Sequence, residues 1–329
     1  MRVLFLGTAS GKPSNHRNVT SIAVIIENAE YLLVDCGEAT QHQIMKSSLK
    51  LSKLRGIFIS HLHGDHIFGL PGLLCTLNEI RTDPLRIYGP KGLSEFLKFT
   101  MKSLTNYHLE ISEYSKFIEH QTLTRISSGN YEYLVQLASI VHTTTTFAYK
   151  FTQIRVNNKV DIIKIRPHID LYREELIKMG YIPPNQIISA LKSSPIIEMT
   201  NGFTFKMENY QEKENEQTLI VALDNCDTQR MCYYFTKCDM LIHESTYACF
   251  DEDMSILAQK HAHSTNRMAV KTAVQLRAKQ LVLTHFSNRY DFEDEESIIE
   301  DTRKELNIAK HDAEVYCARD LSEFCICSK

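Results

Sequence analysis

The 329-residue sequence has no stretch near the roughly eighteen consecutive apolar residues of a membrane-spanning helix. Its opening, MRVLFLGT, has five apolar residues before a glycine, too few for a signal peptide, and reads as a first β-strand. Its nine cysteines are odd in number and never spaced C-x-x-C, which argues against a disulfide framework and a Cys-based zinc site and for reduced, intracellular thiols. Internal repeats and low-complexity tracts are missing too. Neither sign of charge dominates: the net value of −3 argues weakly against nucleic-acid binding but averages over a gradient. Residues 143–207 hold nine Lys/Arg against five Asp/Glu, and residues 289–329 hold six against twelve, so an acidic end cancels a basic middle. With 43% apolar and 23% charged residues, disordered and collagen-like classes are excluded and a globular enzyme is expected.

Histidine is plentiful, with fourteen in the chain, and FISHLHGDHIFGLPG at residues 58–72 places three of them and an aspartate within six positions. His61 and His63 are two apart, so on extended backbone they point to the same side. Gly64 permits a turn that brings Asp65 and His66 alongside them. A His/Asp set of this kind suits zinc, with manganese and iron as alternatives. Further candidates close other apolar runs: His142 ends YLVQLASIVH, Asp224 ends LIVALD, His243 ends MLIH and His285 ends LVLTH. Together they describe a sheet whose strands deliver His or Asp to one edge.

Around these motifs the chain begins with hairpins, SIAVIIENAEYLLVDCG turning at Glu27–Glu30, and later alternates strands with helices. Helices are expected over 40–50, 70–80, 91–105 and 265–276, and strands over 56–60, 85–90, 131–142 and 146–156. That order predicts an α/β fold with helices covering sheets. Residues 157–207, with Pro167, Pro183, Pro184 and Pro195, read as an irregular insertion.

H-x-H-x-D-H after a strand, followed by His, Asp and His at later strand ends, resembles the metal signature of the metallo-β-lactamase superfamily. Within it the chain resembles the short form of ribonuclease Z (tRNase Z), through FLGTASGKP, VDCGEATQHQ, FISHLHGDHIFGLPGLLCT, HEST, AHST and LVLTHFSNRY, in order over nearly the whole chain. The resemblance implies one metallo-β-lactamase αββα sandwich domain over residues 1–329, with 157–207 as an inserted, flexible, substrate-binding arm. It implies two zinc ions per subunit, manganese or another divalent ion being the alternative: His61, His63 and His142 on one, Asp65, His66 and His285 on the other, Asp224 bridging, and Asp35 supporting the ligands from behind. Asp227 stays open as a rival for the bridge. Asp65 would also accept the water's proton, and His263 oriented by Glu244 would donate one to the leaving oxygen. His261 does not match the family position and is read as a surface histidine.

Function follows as an expectation. The protein would be a zinc-dependent endoribonuclease that cleaves the 3′ trailer from precursor tRNA, leaving a 3′-hydroxyl on the tRNA and a 5′-phosphate on the trailer. Arg17 and Asn18 would contact the RNA, and the basic arm would supply phosphate contacts. A homodimer in the cytoplasm or nucleus, with no membrane association, completes the expectation. Two alternatives stay open: a small-molecule phosphodiesterase or thioesterase on the same fold, and an RNA-binding protein with a vestigial site. Four positions depart from the family pattern: Asn15 replaces a lysine, Leu223 a glycine, Ser245 an alanine, and IPPNQ at 182–186 stands where a Gly-Pro pair is expected.

Overall fold

The computed structural model describes residues 1–101, 108–156, 160–210, 216–250 and 252–326. Two compact units emerge, residues 1–153 with 216–329, and residues 154–215. Strands run in chain order as β1 Arg2–Gly7, β2 Ser21–Ile25, β3 Tyr31–Val34, β4 Leu54–Phe58, β5 Leu85–Pro90, β6 Leu109–Tyr114, β7 His120–Ser128, β8 Tyr131–Ile140, β9 Thr146–Arg155, β10 Ile196–Glu198, β11 Thr204–Lys206, β12 Gln217–Ala222, β13 Met240–Glu244, β14 Gln280–Thr284, β15 Glu314–Cys317 and β16 Glu323–Cys325.

The larger unit holds two seven-stranded sheets, ordered β16-β1-β2-β3-β4-β5-β6 and β15-β14-β13-β12-β9-β8-β7. Strand alternation explains their near-continuous apolar runs. Val3, Phe5, Ile22, Val24, Leu32 and Val34 face the second sheet's Leu219, Val221 and Ile242 in one core. Their neighbours Leu4, Leu6, Ala23, Ile25 and Leu33 pack outward against the helix Leu70–Ile80. Ile220, Leu241 and Leu281 pack outward against Ala269, Val270 and Ala273 of the helix Asn266–Gln275, and against Ile298 and Leu306 of Glu295–Ile308. Both faces of both sheets are thereby buried, which is the four-layered αββα arrangement.

Pairing is antiparallel along β1-β2-β3 and parallel along β3-β4-β5-β6, and again parallel along β12-β13-β14-β15. Parallel strands end on the same edge, so residues just after Val34, Phe58, Ala222, Glu244 and Thr284 can gather there. The helix expected over 91–105 is found at Leu93–Thr100, and residues 102–105 of that expectation lie outside the described residues.

The second unit differs from the irregular insertion expected. Its helices Ile162–Leu171, Arg173–Lys178 and Gln186–Ser193 and the hairpin β10-β11 enclose a core of Ile165, Ile169, Leu176, Ile187, Leu191 and Phe205. Prolines suggested irregularity, but Pro184 stands just ahead of Gln186–Ser193, and Asp161 caps Ile162–Leu171 by accepting from the N–H groups of Ile163 and Lys164. Residues 157–159 of the expected arm lie outside the described residues. Leu191 is fully buried there, so Leu191→Ala should cost about 2–5 kcal/mol within this unit. Amide hydrogen exchange should then accelerate in residues 160–210, while β12–β14 keep their protection; uniform acceleration across the chain would refute a separate core.

Candidate metal centre

Seven side chains at the sheet edge converge in two groups bridged by one of them. His61, His63, His142 and Asp224 place their ligand atoms within 4.8 Å of one another, as do Asp65, His66 and His285. Asp224 is buried between the groups. Its Oδ1 lies 3.2 Å from His66 Nε2 and 3.0 Å from His285 Nε2, and its Oδ2 lies 3.7 Å from both His61 Nε2 and His142 Nε2. Asp227 is exposed and accepts from the Gln229 N–H, whereas Asp224 lies within the cluster. His243 is fully buried and its ring reaches Thr272 and the Glu244 carbonyl, away from the cluster.

Each imidazole is aimed by a partner on its far side. His66 Nδ1 donates to Asp35 Oδ2 at 2.6 Å, His142 Nδ1 to the Ala262 carbonyl at 2.7 Å, and His285 Nδ1 to Thr246 Oγ1 at 2.9 Å. His61 Nδ1 meets Ser60 Oγ, which donates in turn to Asp35 Oδ2 at 2.7 Å. Nε2 of these four rings therefore faces inward. His63 is the exception, its Nδ1 lying 2.9 Å from His61 Nε2 and 3.3 Å from His142 Nε2. Asp35 and His285 have φ of 59° and Ala262 has 57°, left-handed values that cost of order 1–3 kcal/mol each and recur where a fold must aim a group.

This donor set fits a divalent cation. His66 Nε2, His285 Nε2 and Asp224 Oδ1 are buried without a hydrogen-bond partner, although they lie against one another. Burial disfavours charge on His66, yet Asp224, Asp35 and Asp65 raise its pKa well above the ordinary value. His285 is pushed up to about 10, Asp224 again overcoming burial. In the opposite direction, burial and the neighbouring His66 hold His61 well below its ordinary value. A cation bound at Nε2 of His66 and His285 would take the place of a proton there, so metal binding would be coupled to proton release.

Beside the cluster, Glu244 Oε1 faces His263 Nδ1 at 3.2 Å. Glu244 is fully buried and accepts from the Asn225 N–H and from Thr246 Oγ1. Burial opposes an imidazolium at His263, but Glu244 prevails and raises its pKa.

Residues 1–163 match the protein family described as Anti-Pycsar protein Apyc1. Over 297 residues, 88% of the chain, the sequence is 35% identical to Ribonuclease Z of Prochlorococcus marinus (strain MIT 9301), of which it covers 89%. Ribonuclease Z of Bacillus cereus (strain AH187) is 33% identical over 313 residues, 92% of this chain and 94% of that protein. The chain belongs to the ribonuclease Z family. Among solved structures, human tRNase Z, short form, aligns over the full length of both chains with a TM-score of 0.65 and 27% identity. The metallo-β-lactamase fold protein YhfI from Bacillus subtilis aligns over 98% of each chain at 0.62 and 18%, a likeness of fold.

Against the ribonuclease Z pattern, one expectation is corrected. Arg17 is not presented to a ligand: it is 4% exposed, and its guanidinium donates to Thr8 Oγ1, the Ala318 carbonyl and Glu295 Oε1. A cation so deeply desolvated needs its carboxylate partner, and its three hydrogen bonds run inward to Thr8, Ala318 and Glu295. Asn18 is half-buried, its Nδ2 donating to the Glu38 carbonyl. His261 is exposed as expected, its Nδ1 against the Tyr247 hydroxyl. Four contributors escaped sequence reasoning: Thr246, Ser60, the Ala262 carbonyl and the Gly11 N–H, which donates to Asp65 Oδ2 at 2.8 Å. Thr246 is the last letter of HEST and Ser60 the third of FISH, so the motifs contained them without showing their direction. Asp35→Asn and Thr246→Val should each weaken divalent-metal affinity about 10- to 100-fold, as losing a ligand's supporting partner typically does. Calorimetric titration of metal-free protein measures this, and wild-type affinity in both variants would refute the orienting roles.

Proposed function

We propose that the protein is a zinc-dependent endoribonuclease that cuts the 3′ trailer from precursor tRNA. The observation that carries this reading is the bridged His/Asp cluster standing beside the Glu244–His263 pair, in a chain of the ribonuclease Z family. Two zinc ions per subunit would be held by His61, His63 and His142 and by Asp65, His66 and His285, with Asp224 shared. When bound, the ions would supply Lewis acidity toward the phosphate oxygens and an acidified water.

The protein groups carry the proton traffic. Asp65, pinned through Oδ2 by the Gly11 N–H, accepts the proton of the attacking water. The bond from phosphorus to the tRNA 3′-oxygen breaks, the phosphate stays with the trailer, and His263 donates its proton to that oxygen to give a 3′-hydroxyl. Glu244 favours the protonated form of His263 and holds the ring in place by charge and hydrogen bond. Asn18, whose Nδ2 donates to the Glu38 carbonyl, would meet a sugar edge of the RNA. The second compact unit supplies an RNA-binding arm through Lys164, Arg166, Arg173, Lys178, Lys192 and Lys206, which a homodimer would present to its partner's site. The setting would be cytoplasmic or nuclear; no helix among the described residues is long and apolar enough to cross a membrane.

Incubated with a trailer-bearing precursor, the protein should cut after the discriminator base, chelator should abolish cleavage and zinc restore it, and Asp65→Ala should be inactive. An intact precursor with the metal sites filled would overturn the reading. Since Glu244 raises the pKa of His263, the donating form persists to higher pH than in a free imidazole. Glu244→Gln should therefore lower kcat by about 10²- to 10⁴-fold and move the alkaline limb of the pH–rate profile downward. An unmoved limb would exclude His263 as the donor.

A further inference from the structure

The loop between β1 and β2 has eight exposed or half-exposed positions, yet it is closely tied to the rest of the fold. The Thr8 and Ala9 N–H groups donate to the Asn18 carbonyl, and Ser14 N–H donates to the Arg17 carbonyl. The loop is also stitched to the segment after His285: Phe286 N–H donates to the Thr8 carbonyl, Ser10 N–H to the Phe286 carbonyl, and Asn288 Nδ2 to the carbonyls of Lys12 and Pro13.

Arg17 stands where these ties meet. Its guanidinium lies between the rings of Phe286 and Phe292, 4.7 and 4.9 Å from their centroids. Nη1 donates to Thr8 Oγ1 at 2.9 Å and the Ala318 carbonyl at 2.8 Å, and Nη2 pairs with Glu295 Oε1 at 2.6 Å. Glu295 is fixed from its other oxygen by Arg319, and Asp320 takes both the Thr8 hydroxyl and the Asn18 N–H. Two paths lead from this knot to the metal centre, and both reach the same half. One runs along the loop to Gly11, whose φ of +70° favours glycine and whose N–H holds Asp65 Oδ2. The other runs through Phe286 to His285, which sits at a left-handed φ of 59°. Among the described residues, the ligands of the other half are held differently, by Ser60 at His61 and the Ala262 carbonyl at His142.

We propose that Arg17 is a positioning residue for one half of the metal centre, setting Asp65 through Gly11 and His285 through Phe286. The inference rests on the metal-dependent reading of the site but not on its substrate. In Arg17→Lys the planar fork and its stacking are lost while the charge is kept. In Thr8→Val the hydroxyl between Arg17 and Asp320 is removed at nearly constant shape, and this variant carries the test if Arg17→Lys does not fold.

Zinc titrated calorimetrically into each metal-free variant should show two classes of site, one with wild-type affinity and one weakened about 10- to 100-fold. Cobalt substitution should show the matching change in the visible spectrum for one equivalent. On precursor tRNA, kcat should fall with KM nearly unchanged. Equal weakening of both equivalents would overturn the proposal in favour of general destabilisation. Wild-type metal affinity with a raised KM would overturn it in favour of an RNA contact. Because the titration contains no RNA, failure of the tRNA-processing reading and failure of this one give different results.

Discussion

Asp224 turns one carboxylate oxygen toward His66 and His285 and the other toward His61 and His142, from a position almost without solvent. A carboxylate desolvated this far is tolerable only with positive charge close on both sides. Imidazolium at His66 and His285, whose pKa values Asp224 raises, supplies such charge, and a divalent cation would supply it in their place. Everything else at the sheet edge can be understood as keeping those rings at the right distance and angle around one buried anion. Asp35 and Thr246 hold rings by their far nitrogens, Ser60 relays Asp35 to a second ring, and a backbone carbonyl at Ala262 holds another.

Such aim requires backbone that is itself immobile. Parallel pairing brings the ends of β3, β4, β12, β13 and β14 to one edge, with register fixed by cores on both faces of each sheet. At that edge the chain accepts left-handed conformations at Asp35, Ala262 and His285, positions where side chains other than glycine are strained. The strain is supported by the layers beneath, as at Asp35, whose carboxylate also receives the Ser60 N–H at 2.6 Å. The acid pair belongs to the same construction, because Thr246 touches Glu244, His263 and His285 at once. The Glu244–His263 pair and the His285 ring are thereby tied together through a single hydroxyl.

Charge explains why Arg17 misled. Within Pro13–Asn18 it is the only formally charged residue, and an arginine in a polar loop ordinarily faces water or phosphate. Its partners Glu295, Ala318, Phe286 and Phe292 lie hundreds of residues away in sequence, and no local pattern announces them. The second unit misled in the other direction. Its prolines signalled irregular chain, whereas Ile165, Ile169, Leu176, Ile187 and Leu191 carry helical spacing sufficient for a small core.

Sequence by itself determined which side chains could bind metal, because H-x-H-x-D-H and isolated His or Asp at strand ends are local patterns that follow from strand periodicity. Strand–helix order pointed to an α/β fold with covered sheets, and the αββα class followed from the resemblance of the motifs to the metallo-β-lactamase superfamily. Tertiary structure alone placed Asp224 inside the cluster and Asp227 at the surface, separated His243 from the cluster, and revealed Arg17 as an internal ion pair. Those outcomes depend on burial and on contacts between residues far apart in the chain, which pairwise spacing along a sequence does not encode.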